Sequence, residues 1–159
     1  MSLGHIQREE TYNMSDQTKA WAPLPSVGTR AERVHTITDA DIVQFADISG
    51  DHNPIHLDAD YAARSQFGKR IAHGFLTGSL ISAVIGMDLP GPGSIYLGQT
   101  LKFLAPVYID DTITASAEVT SIREDKRLVI LRTDCTNQDG KLVLTGEATV
   151  KFVREHQAE

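Results

Sequence analysis

The chain has 159 residues, enough for one domain that buries a core without disulfide or metal staples. Its formal charge of −6 and lack of a basic stripe with interleaved aromatics argue against a nucleic-acid binder. A single Cys135 excludes an internal disulfide and a cysteine-only metal cage and fits a reducing cytoplasmic setting; no run approaches the ~18 apolar residues of a membrane span, so no membrane contact is expected.

Residues 1–26 carry neither the basic start nor the apolar run of a secretory signal and read as a flexible leader to a single domain over 27–159. Glu32 to Ile37 reads as a strand. Thr38 with Asp41 three residues on is a capping-box signature, opening a helix over Asp39 to Ile48 that Gly50 ends. Asp58 is placed to cap a second short helix, Ala59 to Gln66, closed by Gly68. A third helix, Gly74 through Met87, is apolar on nearly every side and too short to cross a bilayer, so it is expected inside a globular core. Its small residues, Gly78, Ser79, Ser82, Ala83 and Gly86, would let a sheet wrap closely around it.

The sheet comes late in the chain. Ser94 to Val107, Thr112 to Ile122, Leu128 to Thr136 and Leu142 to Val153 are rich in Val, Ile, Thr and Leu and are broken by polar turns at Asp110-Asp111, Arg123 to Arg127 and Asn137 to Lys141. Such short connections imply antiparallel neighbours in a meander. Helices first and strands late make an α+β domain.

Between the first two helices lies Ser49-Gly50-Asp51-His52-Asn53-Pro54-Ile55-His56, a carboxylate and an imidazole five residues apart. Gly50 frees the backbone, Pro54 removes an N–H, and Asn53 before proline is pushed out of the helical region, so the segment is expected to turn. On a turn the two groups can converge on one water molecule. Taken singly, Asp51 is an ordinary turn residue and His56 an ordinary core histidine; together they point to acid-base chemistry.

Gly50-Asp51-x-Asn53-Pro54-Ile55-His56, then Phe67-Gly68, then Ile71-Ala72-His73-Gly74-Phe75-Leu76, resemble the MaoC-like family and its (R)-specific enoyl-CoA hydratases. The likeness continues through Ser82 and through Gly93 to Gln99, covering roughly residues 34–153. It implies a hot-dog fold, a curved antiparallel sheet around a central helix, in homodimers whose sheets join edge to edge with active sites between the subunits. It also implies reversible syn hydration of a trans-2-enoyl-CoA, as in fatty-acid or polyhydroxyalkanoate metabolism, with the acyl-CoA as substrate and no cofactor or metal.

By this resemblance Asp51 and His56 are the catalytic pair. Charge developing on the thioester oxygen requires a donor, and Gly74, which opens the third helix with an unpaired N–H at the positive end of the dipole, is the candidate. The resemblance brings Ser82 near the catalytic pair, although a small residue needed for helix packing is an equally good reading. Asn53 is read as a brace of the loop beside the substrate. His52 reads as an exposed loop residue, and His73 as a structural residue that caps the helix or lines the pocket. A zinc set of His56, Asp58 and His73 matches no familiar spacing, and Asp58 already caps a helix. Two other activities share these features: acyl-CoA thioester hydrolysis on the same fold, and non-catalytic acyl-CoA binding.

Overall fold

A computed structural model describes residues 21–155. In chain order the elements are β1 (Arg30–Thr36), α1 (Asp39–Ser49), α2 (Pro54–Leu57), α3 (Ala59–Ala63), α4 (Gly74–Met87), β2 (Ser94–Phe103), β3 (Thr112–Arg123), a 3-10 turn over Glu124–Lys126, β4 (Leu128–Thr136) and β5 (Leu142–Phe152). The five strands form one antiparallel sheet in the order β1-β3-β4-β5-β2. With α4 laid on it, this is the hot-dog arrangement.

The expected capping box is present. Thr38 Oγ1 accepts the Asp41 N–H at 3.1 Å, and Asp41 Oδ2 accepts the Thr38 N–H at 2.8 Å. Each pairing satisfies a donor that a helix start leaves open. Gly50 ends α1 in the left-handed region, at φ 78°, and sends its N–H back to Ala46.

Burial along α4 is one-sided. Leu76, Thr77, Ile81, Val84 and Ile85 are buried against the sheet, where Leu131, Leu144, Val129 and Val150 join them in the core. Gly78 allows the close approach: a Cβ there would sit 3.1 Å from Leu101 Cδ1 on β2. The opposite face is open, with Phe75 67% and Met87 60% exposed and Ser79, Ser82 and Ala83 exposed between them. The helix expected to be buried all round is thus covered on one side only, because a single sheet has only one inner face to offer.

The meander holds for β3, β4 and β5 but not for β2, which pairs with β5 at the far edge while β3 pairs with β1. Asp110 does turn, at φ 71°, but the turn delivers the chain to Ile37 beyond β1, with Asp110 N–H to Ile37 O at 2.8 Å. Before it, residues 104–109 cross from one sheet edge to the other, where Ala72 N–H reaches Val107 O at 2.7 Å. Pro106 has no N–H to extend a ladder, so the strand expected to run to Val107 stops at Phe103.

Residues 1–20 of the expected leader, and residues 156–159, lie outside the described residues. The leader's last six residues lie against the domain. Trp21 bridges to Glu155, Ala22 N–H donates to Arg154 O at 2.9 Å, and Arg127 Nη2 donates to Ala22 O at 2.6 Å. Ala22 and Leu24 then pack on the core.

Candidate active site

Three neighbouring segments build the site: the loop after α1, the single turn of α2, and the start of α4. The loop is locally braced. Ser49 Oγ accepts the Asp51 N–H at 3.2 Å, and Asp51 Oδ1 accepts the Asn53 N–H at 3.2 Å. Asn53 Oδ1 then accepts the Ile55 N–H at 3.2 Å and caps α2, with Pro54 in the first helical position. The loop expected to turn throughout therefore ends in a helical turn, since proline's missing N–H costs nothing at that position. Asn53 braces the loop; its amide oxygen is occupied by this cap.

The helical turn aims His56 inward. Its Nδ1–H donates to Ile71 O at 2.8 Å, which leaves the Nε2 lone pair facing Asp51 Oδ2 at 3.9 Å. That separation is too long for a direct hydrogen bond and leaves room for one water to bond to both. His56 is 8% exposed, whereas the Asp51 side chain is 53% exposed. Burial pushes the His56 imidazole below its usual value; the Ile71 carbonyl and Asp51 oppose this, while His73 and Arg70 add to it. The neutral ring, with a lone pair on Nε2, is the favoured form.

Gly74 is the first residue of α4, so its N–H has no acceptor within the helix. It borders two cavities. The larger, about 410 Å³, is lined by apolar groups including Phe67, Phe103, Val107 and Leu144, with His56 and Thr77 as its polar members. The smaller, about 310 Å³, is lined by Phe45, Ser49, Asp51, His73, Gly74 and Phe75. His56 borders the larger cavity and Asp51 the smaller, and Gly74 borders both. A Cβ on residue 74 would meet the Phe103 ring at 2.7 Å, so glycine is what admits the ring, and with it the cavity wall, this close.

Of the residues picked out from sequence, Asp51, His56 and Gly74 come together. Ser82 does not join them: it lies on the exposed face of α4 and lines neither cavity. His52 is an exposed loop residue 3.3 Å from Asp47. His73 makes no side-chain cap to α4. It is 2% exposed, its Nε2–H donates to Asp51 O at 2.9 Å, and its ring stacks on His56 with centroids 3.8 Å apart. The signal for it was available: histidine is a poor capping residue, yet it stands immediately before the glycine that opens the helix. Thr77, one turn beyond, places a buried hydroxyl without a hydrogen-bond partner at the larger cavity.

Asp51, His56 and His73 have ligand-capable atoms within 4.8 Å of one another. Two of the four ring nitrogens are committed to carbonyls and Asp51 Oδ1 accepts the Asn53 N–H, which leaves His56 Nε2 and Asp51 Oδ2 facing each other at 3.9 Å and His73 Nδ1 without a partner. Asp58 Oδ1 accepts the Tyr61 N–H at 2.9 Å and is occupied as a cap.

The MaoC like domain model matches residues 23–138. The chain is 51% identical to an (R)-specific enoyl-CoA hydratase of Rhodospirillum rubrum over 77% of its own length and 85% of that protein. It is 47% identical to the (R)-specific enoyl-CoA hydratase of Aeromonas caviae, covering 79% of this chain and 94% of that one. In three dimensions it resembles the unliganded R-hydratase PhaJ1 of Pseudomonas aeruginosa, with a TM-score of 0.79, 47% identity, and coverage of 85% of this chain and 89% of that one. The match over the Asp51–His56 loop, α4 and most of the sheet shows that the chain belongs to the MaoC-like domain family.

Proposed function

We propose that the chain is an (R)-specific enoyl-CoA hydratase, adding water across a trans-2-enoyl-CoA to give an (R)-3-hydroxyacyl-CoA and running as a dehydratase in reverse. The observation that carries this is Asp51 Oδ2 and His56 Nε2, 3.9 Å apart, beside the helix-opening N–H of Gly74 at an apolar cavity. Each presents an acceptor to one water. With its O–H bonds on these two groups, the water's oxygen lone pair is aimed at C3. As the C3–O bond forms, one acceptor takes the proton and the C2–C3 π electrons move toward the thioester. The oxygen that becomes negative meets the Gly74 N–H, a donor of a kind whose loss typically costs about 3 to 4 kcal/mol of barrier. A proton then passes to C2 on the same face, and addition is syn. No cofactor or metal takes part in this reading.

The acyl chain occupies the larger cavity, and the molecule works as a homodimer. An apolar edge supports pairing: β2 leaves Ile95, Leu97 and Phe103 exposed beside the open face of α4. A second copy placed there would cover both. Ser82 would then serve the site only from within such a pair. A cytoplasmic location fits the free, buried Cys135; among the described residues no helix is long and apolar enough to cross a membrane.

Crotonyl-CoA tests the reaction. Hydration removes the enoyl thioester absorbance without releasing thiol and gives the (R)-product. Thiol release with the conjugation intact would identify a thioesterase, and binding without turnover a non-catalytic module. An (S)-product would break the assignment.

A further inference from the structure

The Asp51 carboxylate, the His56 imidazole and the Gly74 N–H stand on separate segments, and one side chain touches all three segments. His73 Nε2–H donates to the Asp51 carbonyl at 2.9 Å. Its ring stacks on His56 at 3.8 Å with planes 29° apart, and Phe45 closes on it at 5.0 Å. Through the peptide bond it is the immediate neighbour of Gly74. We propose that His73 is a positioning residue that fixes the catalytic carboxylate and imidazole in register with the Gly74 N–H.

Packing alone does not account for a histidine here, because an aliphatic side chain could fill the same space without bonding the Asp51 carbonyl. The imidazole also brings a liability. Because Nε2 must carry the proton that the carbonyl accepts, Nδ1 in the neutral ring holds a lone pair that is buried without a protein partner. Such a group lowers stability. What the histidine supplies is direction. The Asp51 backbone is held at its N–H by Ser49 within the same loop, whereas the His73 bond ties its carbonyl to the helix that carries the oxyanion donor. The stacked ring meanwhile limits how far His56 can tilt about its anchor on Ile71. Errors of position near 1 Å typically cost about a hundredfold in rate, so a brace of this kind is read in turnover before it is read in stability.

This role rests on the hydratase reading, and its test pairs two substitutions in the full chain. His73→Leu keeps bulk and removes the donor; His73→Gln keeps a donor at a similar reach and removes the ring. With crotonyl-CoA, His73→Leu is expected to lower kcat roughly thirtyfold with KM within about threefold of wild type, and His73→Gln to recover most of that loss. Hydrogen exchange of the backbone over residues 50–56 is expected to quicken at least about tenfold in the leucine variant alone, with the sheet unchanged. Unchanged kcat and loop exchange in His73→Leu would overturn the proposal. So would exchange that rises across the whole domain, or a glutamine variant no better than leucine. If the leucine variant does not fold, His73→Phe takes its place, removing the donor while keeping a ring against His56, and is expected to quicken exchange over residues 50–56 in the same way. A wild type that fails to hydrate crotonyl-CoA would sink the hydratase reading, and the exchange result would still decide whether His73 holds the loop.

Discussion

Asp51 and His56 reach toward one another from unlike surroundings, a half-exposed carboxylate 3.9 Å from an imidazole that is almost wholly buried. The loop leaves the carboxylate open to water while burial favours the neutral imidazole, so each presents an acceptor toward the same small space. Removing either acceptor should leave the fold and lose the reaction. Asp51→Asn and His56→Ala are each expected to lower kcat by at least about a hundredfold, the lower end for acid-base groups. Near-wild-type turnover in both would remove the pair from the mechanism.

The lowered His56 pKa makes a signed prediction. If the neutral ring is the working form, kcat/KM falls as pH drops through the lowered value, placing the acid limb below the usual imidazole range. Stability follows the same sign: the unfolded chain binds the extra proton first, so stability is full above the usual imidazole value and declines as pH falls from there toward the lowered one. Asp51 raises the His56 pKa, so Asp51→Asn should move it further down. A histidine proton NMR titration of both proteins would show this; an upward movement would contradict it.

Gly74→Ala should injure activity through Phe103. The added Cβ would meet the ring at 2.7 Å, and the half-exposed ring must swing away from the cavity wall. A drop in kcat/KM of about tenfold, equivalent to about 1.4 kcal/mol, is expected, with partial recovery in Gly74→Ala/Phe103→Leu. If the double variant is no better than the single one, the collision is not the cause.

Stability away from the site can be tested at the α1 cap. Thr38→Ala removes the oxygen that accepts the Asp41 N–H and should destabilise by about 1 kcal/mol, with kcat unchanged. Urea unfolding followed by circular dichroism gives the number. A change in kcat without one in stability would mean that α1 communicates with the catalytic loop in another way.

A charge on the open face of α4 should separate the proposed dimer. Met87→Glu places a carboxylate amid exposed apolar surface and is expected to shift the mass in light scattering from two chains to one, with a loss of turnover. A wild type that is already monomeric and active would remove the dimer from the proposal.

Local chemistry made much of this molecule legible. The Thr38 box, the Asp58 cap and the full extent of α4 and β4 follow from residues within one or two turns of each boundary. Pro54 was harder, because proline breaks a helix interior but suits a first turn, and only the Asn53 cap decides between them. The position of β2 was not legible. An Asp-Asp turn looks the same whether it closes a hairpin or ends a crossing, and the partner of β2 lies more than forty residues away. The motif raised the expectation that Asp51 and His56 converge near Gly74, whereas the role proposed for His73 rests on a carbonyl 22 residues distant.

The crossing over residues 104–111 sets one further property of the domain. As a hairpin turn its length would be dictated by the register of the two strands it joined. As a traverse it pairs with residues 71–72 through the Ile71–Tyr108 bridge and the Ala72 N–H to Val107 O bond, and it forms a wall of the larger cavity through Leu104, Ala105, Pro106 and Val107. Those same residues 71–72 hold His56, through its Nδ1–H bond to the Ile71 carbonyl. Side-chain changes at residues 104–106 can therefore resize this cavity, whereas changes at residues 107–108 reach the segment whose Ile71 carbonyl anchors His56, so the same traverse couples the size of the cavity to the aim of the imidazole.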